Sequence, residues 1–157
     1  MNEYELAGIE TIARGVCIKD DRVLVCRNKS IGNVYLPGGH IEFGEAGAEA
    51  LEREVMEEMG VASSAREFLG CCEHTFTQHG GKPHAEINLV YALEIPSLSP
   101  DAPAPSREDW ICFEWMALSD LPSSTLEPAV LRDRIAPWHA RRAASASRLA
   151  TTARNGA

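Results

Sequence analysis

The sequence lacks an excess of positive charge. Its 157 residues carry 15 Lys and Arg against 23 Asp and Glu, which gives a formal net charge of −8. This balance argues against long nucleic acid as a partner, because broad nucleic-acid binding depends on neutralising phosphates with basic side chains. A small phosphorylated ligand that arrives with a metal ion is still compatible with it.

The sequence also lacks long apolar runs and paired-cysteine motifs. Its best apolar stretch, Ile87 to Leu93, has only the length of a strand, which argues against a membrane partner. The first ten residues, MNEYELAGIE, show neither the basic nor the apolar region of a signal peptide. The five cysteines form no CxxC pair, so neither a zinc knuckle nor a disulfide framework is indicated. We therefore expect a cytoplasmic protein with reduced thiols.

The length and an apolar fraction of 45% fit one globular domain over residues 1–157. Turn and alternation signals predict strands and helices in mixed order, which favours an α/β sandwich around a mixed sheet. The predicted strands cover residues 11–18, 22–26, 34–36, 68–79, 82–94 and 110–116. The predicted turns are Asp20-Asp21, Pro37-Gly38-Gly39 and Gly80-Gly81, and a Pro- and Ser-rich loop covers residues 96–109.

Two helices are predicted. The first runs from about Glu45 to Met59 and ends at Gly60, where a C-cap glycine is expected. The second begins near Glu127-Pro128 and ends before Pro137. The Arg-rich chain that follows is predicted to be a partly helical, frayed basic tail.

The first helix concentrates acidic residues on one face. Glu54, Glu57 and Glu58 are spaced i, i+3 and i+4, so their carboxylates lie together. One turn earlier, the small residues Gly47 and Ala50 are expected to let a large group approach. The face is either a solvated acidic surface, where each like-charge pair costs roughly 0.2–0.5 kcal/mol, or a site for a hard divalent cation. On charge alone, the solvated surface is favoured.

The residues around this helix change that preference. Gly39, Glu45, Arg53-Glu54-Val55, Glu57-Glu58 and Gly60-Val61 stand at the spacings Gly-x5-Glu-x7-Arg-Glu-Val-x-Glu-Glu-x-Gly-Val. This pattern resembles the complete signature of the Nudix hydrolases. The resemblance implies an α/β/α sandwich with the signature as a loop-helix-loop. It also implies Mg²⁺-dependent cleavage of a diphosphate linkage in a nucleoside diphosphate derivative, with Mn²⁺ as a substitute.

The resemblance further assigns roles to residues. Glu54, Glu57, Glu58 and the main-chain carbonyl of Gly38 are the implied metal ligands. Arg53 and Glu45 are implied to hold the loop and the metal-binding glutamates in place. For Glu45, an acid that favours a helix N-terminus is an alternative that is compatible with this role.

The resemblance does not identify the general base, because family members use either a signature glutamate or an acid in a later loop. Glu108, just ahead of the strand that begins at Trp110, is one candidate, and an ordinary surface acid is its alternative. Glu86 is a rival. If Gly80-Gly81 forms a two-residue turn, His84 and Glu86 share a face with Asn88, and the partner strand adds Glu73, Thr75 and Thr77. That face is a substrate wall, an extra metal contact or a solvent-facing hairpin, and the hairpin is favoured.

The signature does not identify the substrate. Residues 75–78 lack the Pro or Tyr that marks some subclasses for ADP-ribose or dinucleoside polyphosphates, so a nucleoside triphosphate or a nucleotide-sugar is expected. Trp110, Phe76, Tyr35 and Phe43 are candidates to stack on a base, or core residues. One alternative is a catalytically silent nucleotide-binding module, although no signature acid is lost. Another is an isomerase, which no feature of the sequence supports. Because many relatives dimerise, a homodimer is also expected.

Overall fold

The computed structural model describes residues 8–145 and 148–153. Within these residues, strands dominate the first two thirds of the chain and short helices follow them. The strands are β1 (Ile9–Val16), β2 (Ile18–Lys19), β3 (Arg22–Asn28), β4 (Val34–Tyr35), β5 (Gly38–His40), β6 (Ser64–Thr77), β7 (Pro83–Glu94) and β8 (Ile111–Ala117). The α-helices are α1 (Gly47–Met59), α2 (Ile135–Ala140) and α3 (Arg142–Ser145), and 3-10 helices cover Leu118–Ser123 and Ala129–Leu131.

The strands form a mixed sheet and a second, antiparallel sheet. The mixed sheet has the order β5-β1-β7-β6, in which β1 and β7 are parallel and the other neighbours are antiparallel. In the second sheet, β3 pairs with β2 and β4 and also with β8. The chain passes between the sheets at the buried Cys17. Asp20 and Asp21 have positive φ angles of 49° and 55°, so they form the predicted turn, which joins β2 to β3.

Helices cover the mixed sheet on both faces. Leu51 and Val55 of α1 belong to one buried cluster with Ala13 and Tyr91 of the sheet. Ile135 of α2 is fully buried in a second cluster. This cluster contains Val16 and Val90, which are an odd number of positions from Ala13 and Tyr91 on the same strands. Because side chains alternate across a strand, the clusters lie on opposite sides of the sheet. The predicted α/β/α sandwich is confirmed.

The first helix forms almost where it was predicted. It begins two residues later, at Gly47, and the Glu49 carboxylate accepts the Ala46 N–H at 3.0 Å. Gly60 ends it with a φ of 73°, and its N–H bonds to the Met56 carbonyl at 3.0 Å. All five cysteines are free thiols.

The expectation that Gly47 and Ala50 leave room for a ligand is wrong. Ala50 is fully buried, and a Cβ at Gly47 would lie 2.5 Å from the hydroxyl of Tyr91. The two small residues let α1 approach the sheet closely, so they contribute to packing.

The predicted turn at Pro37-Gly38-Gly39 is also wrong in part. Gly38 and Gly39 belong to β5 and pair with Arg14 and Ala13 of β1. Gly38 has a φ of 138°, and a Cβ there would lie 1.9 Å from the Ala13 carbonyl oxygen. Glycine is required because the two strands meet too closely for any side chain.

The prediction of a helix from Glu127 to Pro137 is wrong as well. The Glu127-Pro128 peptide bond is cis, and a short 3-10 helix follows it. The α-helix begins only at Ile135 and contains Pro137 in its first turn, where proline costs no helical hydrogen bond. The Trp138 ring lies against Gly70, so this part of the predicted frayed tail is packed. Residues 146–147 and 154–157 of that tail lie outside the described residues.

No helix within the described parts of the chain is both long enough and apolar enough to cross a bilayer.

The packing of α2 predicts a stability difference. Ile135→Ala should lower the free energy of unfolding by about 2–4 kcal/mol, because it leaves a cavity in the second cluster. Val130→Ala, at a position that is 54% exposed, is the matched control and should change stability by less than about 0.5 kcal/mol. Chemical denaturation measures both, and equal small effects would contradict the packing of α2 on the sheet.

Candidate active site

A cleft of about 820 Å³ collects residues from the signature and from both sheets. Its glycine and acid side includes Gly38, Gly39, Glu54 and Glu58. The remaining walls consist of Ile12, Arg14, Asn28, Asn33, Tyr35, His40, His74, Phe76, Gln78, Glu86, Trp110, Glu127 and Pro128. The cleft therefore brings Glu54 and Glu58 of the predicted metal face together with Glu86 of the predicted substrate wall, whereas Glu57 and His84 are not among its lining residues.

Gly39 lets the carboxylate of Glu54 lie directly on β5. A Cβ at position 39 would be 2.4 Å from Cδ of Glu54 and 2.7 Å from each of its oxygens. The Glu54 side chain is only 17% exposed. The glycine in the signature thus provides space for a carboxylate.

Arg53 connects the loop, the helix and β5. Its Nε donates to Glu45 Oε1 at 2.8 Å, and its Nη1 contacts Glu54 Oε1 at 2.8 Å and Glu57 Oε2 at 3.3 Å. Its Nη2 donates to the His40 carbonyl at 2.9 Å. The hydrogen bond from Arg53 lowers the pKa of Glu45, and the same bond raises the pKa of Arg53. Through these contacts one guanidinium connects Glu45, Glu54, Glu57 and the end of β5.

Glu58 carries the least compensated charge of the helix face. Burial raises its pKa to about 7, and the neighbouring Glu54 carboxylate adds to the shift. Glu57 is more open, with 58% of its side chain exposed. Glu108 is exposed, but the loop next to it is tied to the helix, because the Arg107 N–H donates to the Glu58 carbonyl at 2.6 Å. The structure therefore brings Glu108 near Glu58, whose pKa it also raises.

The donor atoms of the helix face suit a hard divalent cation. Glu54, Glu57 and Glu58 offer carboxylate oxygens and Gly38 offers a carbonyl oxygen, which is the ligand type that Mg²⁺ prefers. Arg53 contacts two of the carboxylates, those of Glu54 and Glu57. Burial of the third raises its pKa, so a positive ion in this place would relieve an unfavourable arrangement of charge.

The β7 wall has the predicted face but a different partner. His84, Glu86 and Asn88 alternate along β7, and Glu86 and Asn88 are buried. The connection from β6 is longer than two residues, since Thr77 pairs with Pro83, and His74 and Phe76 stand opposite Glu86 and His84. The predicted two-residue turn is therefore wrong. The one-residue shift in register also removes Glu73, Thr75 and Thr77 from the face.

Arg14 is a cleft residue that the sequence analysis missed. Its Nη1 donates to the Leu36 carbonyl at 3.1 Å and to the Gly38 carbonyl at 3.4 Å. Its Nε lies 3.4 Å from Asn88 Oδ1, and the guanidinium stands 5.2 Å from the centre of the Tyr35 ring. Burial lowers the pKa of Arg14. The available signal was a charged residue between Ile12 and Val16 in an apolar strand.

The aromatic candidates separate into two groups. Trp110 and Phe76 line the cleft and are 48% and 41% exposed, and Tyr35 lines it as well. Phe43 is fully exposed and does not line the cleft. Trp110 and Phe76 are thus accessible to a planar ligand.

The fold and the cleft define an α/β/α domain whose acidic helix faces a ligand-sized cavity. The NUDIX domain family matches residues 10–140, and the chain belongs to this family. The predicted family is therefore confirmed. A NUDIX hydrolase from Nitrosomonas europaea has the same fold, with a TM-score of 0.65 and 19% identity over 94% of this chain and 100% of that one.

Two groups of curated relatives are similar to this chain. An ADP-ribose pyrophosphatase of Methanocaldococcus jannaschii is 31% identical over 84 residues, which are 52% of this chain and 48% of the relative. This chain thus matches about half the length of that enzyme. An isopentenyl-diphosphate Δ-isomerase of Cereibacter sphaeroides is 25% identical over 143 residues, which are 87% of this chain and 78% of the relative.

The two glycines of β5 predict different defects. Gly39→Ala should leave the fold intact but displace the flexible Glu54 carboxylate, lowering catalytic turnover on the order of 100-fold. Gly38→Ala should instead destabilise the protein by more than about 2 kcal/mol, because its Cβ would meet backbone and its φ is positive. Thermal unfolding and steady-state rates separate the two effects. Loss of stability in Gly39→Ala with an unchanged rate per folded molecule would contradict this assignment.

The Arg53 contacts predict that lysine cannot replace arginine. Arg53→Lys keeps the charge but loses the planar fork that contacts Glu45 and Glu54 together, so metal affinity or turnover should fall about 10–100-fold. Arg66→Lys is the matched control, because Arg66 forms an exposed pair with Glu94 on another strand. Metal titration and kinetics should show a loss for the first variant alone.

Proposed function

We propose that the protein hydrolyses a phosphoanhydride linkage in a nucleoside diphosphate derivative, with Mg²⁺ held by Glu54, Glu57, Glu58 and the Gly38 carbonyl. One observation carries the proposal. Carboxylates of the signature helix open into the same cleft as the half-buried guanidinium of Arg14 and two exposed aromatic rings. A nucleotide with a diphosphate has the matching parts, namely negative oxygens and a planar base.

Each wall of the cleft has a distinct task in this proposal. When bound, magnesium would neutralise the phosphate oxygens and activate a water molecule. Arg14 would contact a phosphate oxygen from the sheet side, because its hydrogen bonds to the Leu36 and Gly38 carbonyls hold the guanidinium in place. Arg53 and Glu45 would hold the metal-binding carboxylates in position through the ion pairs described above.

Glu108 is the proposed general base. The hydrogen bond between Arg107 N–H and the Glu58 carbonyl holds its loop beside the acidic face. Its carboxylate is exposed and therefore free to rotate toward a water molecule at the mouth of the cleft. A signature glutamate is the alternative base.

The proposed substrate is a nucleoside triphosphate or a nucleotide-sugar. Trp110 and Phe76 offer ring faces on which a base can stack. Residues 75–78 contain neither Pro nor Tyr, which speaks against ADP-ribose, although one relative bears the name ADP-ribose pyrophosphatase. ADP-ribose therefore belongs in the substrate panel as the principal competitor.

The similarity to an isopentenyl-diphosphate Δ-isomerase over 87% of this chain supports a second candidate. That reaction leaves the diphosphate intact and moves a double bond, so its product separates from a hydrolysis product unambiguously. A catalytically silent nucleotide-binding module is the third candidate. It would bind a nucleotide and raise the melting temperature without forming product.

A panel with identified products tests the proposal. Nucleoside triphosphates, nucleotide-sugars, ADP-ribose and isopentenyl diphosphate are incubated with the protein and Mg²⁺, and products are separated by chromatography and mass. We expect a nucleoside monophosphate with pyrophosphate or a sugar phosphate, and no product with EDTA. Glu57→Gln and Glu58→Gln should each lower kcat on the order of 100-fold or more, and Glu108→Gln should lower it as well.

Glu52→Gln is the matched control. Glu52 lies on the same helix, but its carboxylate accepts the Ala65 N–H at 2.8 Å, away from the cleft. It should change stability more than kcat. Full activity in both Glu57→Gln and Glu58→Gln would overturn the metal assignment, and an isomerised product in place of a hydrolysed one would overturn the reaction.

A further inference from the structure

A second group of metal-ligating side chains lies on the mixed sheet, outside the signature helix. Glu10, His84 and Glu86 each place one donor atom so that all three lie within 4.8 Å of one another. Nε2 of His84 is 3.3 Å from Oε2 of Glu10 and 3.3 Å from Oε2 of Glu86. Nε2 of His40 is 2.8 Å from the same oxygen of Glu10. We refer to Glu10, His40, His84 and Glu86 as the sheet cluster.

The backbone, and not only the side-chain rotamers, brings the sheet cluster together. Glu10 of β1 stands opposite Glu86 of β7 in the parallel register, and His84 precedes Glu86 by two residues. His40 of β5 pairs with Ile12, two residues after Glu10. Because residues two apart in a strand share a face, all four side chains project from the same side of the sheet. Three strands that are distant in sequence therefore converge on one point.

The spacing of the donors fits a small four-coordinate ion. Ligand atoms about 2.0–2.1 Å from a tetrahedral zinc ion stand about 3.3 Å apart. Both distances from His84 Nε2 to the carboxylates have this value, whereas the distance from His40 Nε2 to Glu10, 2.8 Å, is shorter and is that of a hydrogen bond. Two imidazole nitrogens and two carboxylates suit Zn²⁺ and similar transition-metal ions, whereas Mg²⁺ prefers oxygen ligands in octahedral geometry.

Surrounding residues orient the donors. The Gln78 side-chain amide lies 3.2 Å from His84 Nδ1, on the far side of the ring from the carboxylates. The amide nitrogen of Gln78 faces Nδ1; with the amide nitrogen and oxygen exchanged, the carbonyl would accept Nδ1–H and leave the Nε2 lone pair for a metal. The Phe76 ring, 4.6 Å from the His84 ring between centroids, packs against it. Asn88, fully buried, donates to Glu86 Oε1 at 3.2 Å and leaves Oε2 directed at His84.

We propose that the sheet cluster is a second metal site, which takes one Zn²⁺-like transition-metal ion through the grouped donors of Glu10, His84 and Glu86, with the exposed His40 beside Glu10 turning in as the fourth ligand. His40 and Glu86 also line the cleft, so the bound ion would lie beside the substrate space. The site stands on its own donors and does not depend on the proposed hydrolase function. The rival arrangement is a set of hydrogen bonds between protonated histidines and carboxylates without any ion.

Co²⁺ is the probe, because its visible absorption is intense in four-coordinate sites and weak in octahedral oxygen sites. The metal-free full chain is titrated with Co²⁺ in the presence of excess Mg²⁺. The Mg²⁺ occupies sites made only of oxygen ligands, so that Co²⁺ reports on the sheet cluster. We expect an intense band that saturates at one equivalent per chain and disappears when Zn²⁺ is added. His84→Ala and Glu86→Gln should abolish the band, and Gln78→Ala should weaken binding about tenfold.

Two variants with intact clusters are the controls. His79→Ala removes an exposed histidine from the loop between β6 and β7 and should titrate like the wild type. Glu58→Gln removes a ligand of the signature helix and should keep the band, even where hydrolysis is lost. Weak octahedral absorption in the wild type, or loss of the band in Glu58→Gln, would overturn the proposal.

A folding defect in His84→Ala is handled by a second variant. His40 is 64% exposed, so His40→Ala removes a ligand without leaving a buried cavity. Metal-free melting temperatures should match the wild type, and Zn²⁺ should raise the melting temperature of the wild type and His79→Ala by more than that of His40→Ala. Equal stabilisation of all three would contradict the sheet cluster as the site.

Discussion

The carboxyl group of Glu54 occupies the space that a side chain at position 39 would need, and the geometry of the cleft depends on that contact. A Cβ on Gly39 would lie 2.4 Å from Cδ of Glu54, and a Cβ on Gly38 would lie 1.9 Å from the backbone of β1. Two consecutive residues without side chains therefore let β5 fit between a helix and a strand. Arg53 secures the arrangement, because it contacts Glu54 on the helix and the carbonyl of His40 at the end of β5.

This close packing also determines which carboxylates of the acidic face are compensated by a positive charge. In water, the like charges of the acidic helix would cost only a few tenths of a kcal/mol per pair, which is why the sequence alone favoured a solvated surface. In the folded chain, Arg53 compensates Glu45, Glu54 and Glu57, whereas Glu58 is partly buried beside another carboxylate and its pKa rises to about 7. One guanidinium is thus shared among three carboxylates, and a divalent cation in the cleft would compensate the remaining negative charge.

The sequence predicted the parts of this arrangement that are local. The periodicity of α1, its end at Gly60 and the strands on either side of residues 78–82 all follow from patterns within a few residues. The β5 strand does not follow from such a pattern, because Gly38 and Gly39 have low strand propensity and form a strand by pairing with β1. The β6–β7 register could not be predicted either, since one extra loop residue exchanges the faces. Arg14 and the sheet cluster depend on contacts between residues 22 to 76 positions apart, from Arg14–Leu36 to Glu10–Glu86, and no local pattern encodes such pairs.

The strand β5 belongs to both halves of the cleft. Its first residue, Gly38, offers the carbonyl implied for the helix-bound cation, and its last residue, His40, points its ring at Glu10 of the sheet cluster. The His40 carbonyl meanwhile bonds to Arg53, which also contacts Glu54. A three-residue strand has little freedom to move one end without the other. If the sheet cluster holds its ion, that ion would fix β5 against β1 and β7. It would thereby restrict where the Gly38 carbonyl and the Glu54 carboxylate can lie, so the two donor sets are joined by covalent structure as well as by the shared cleft.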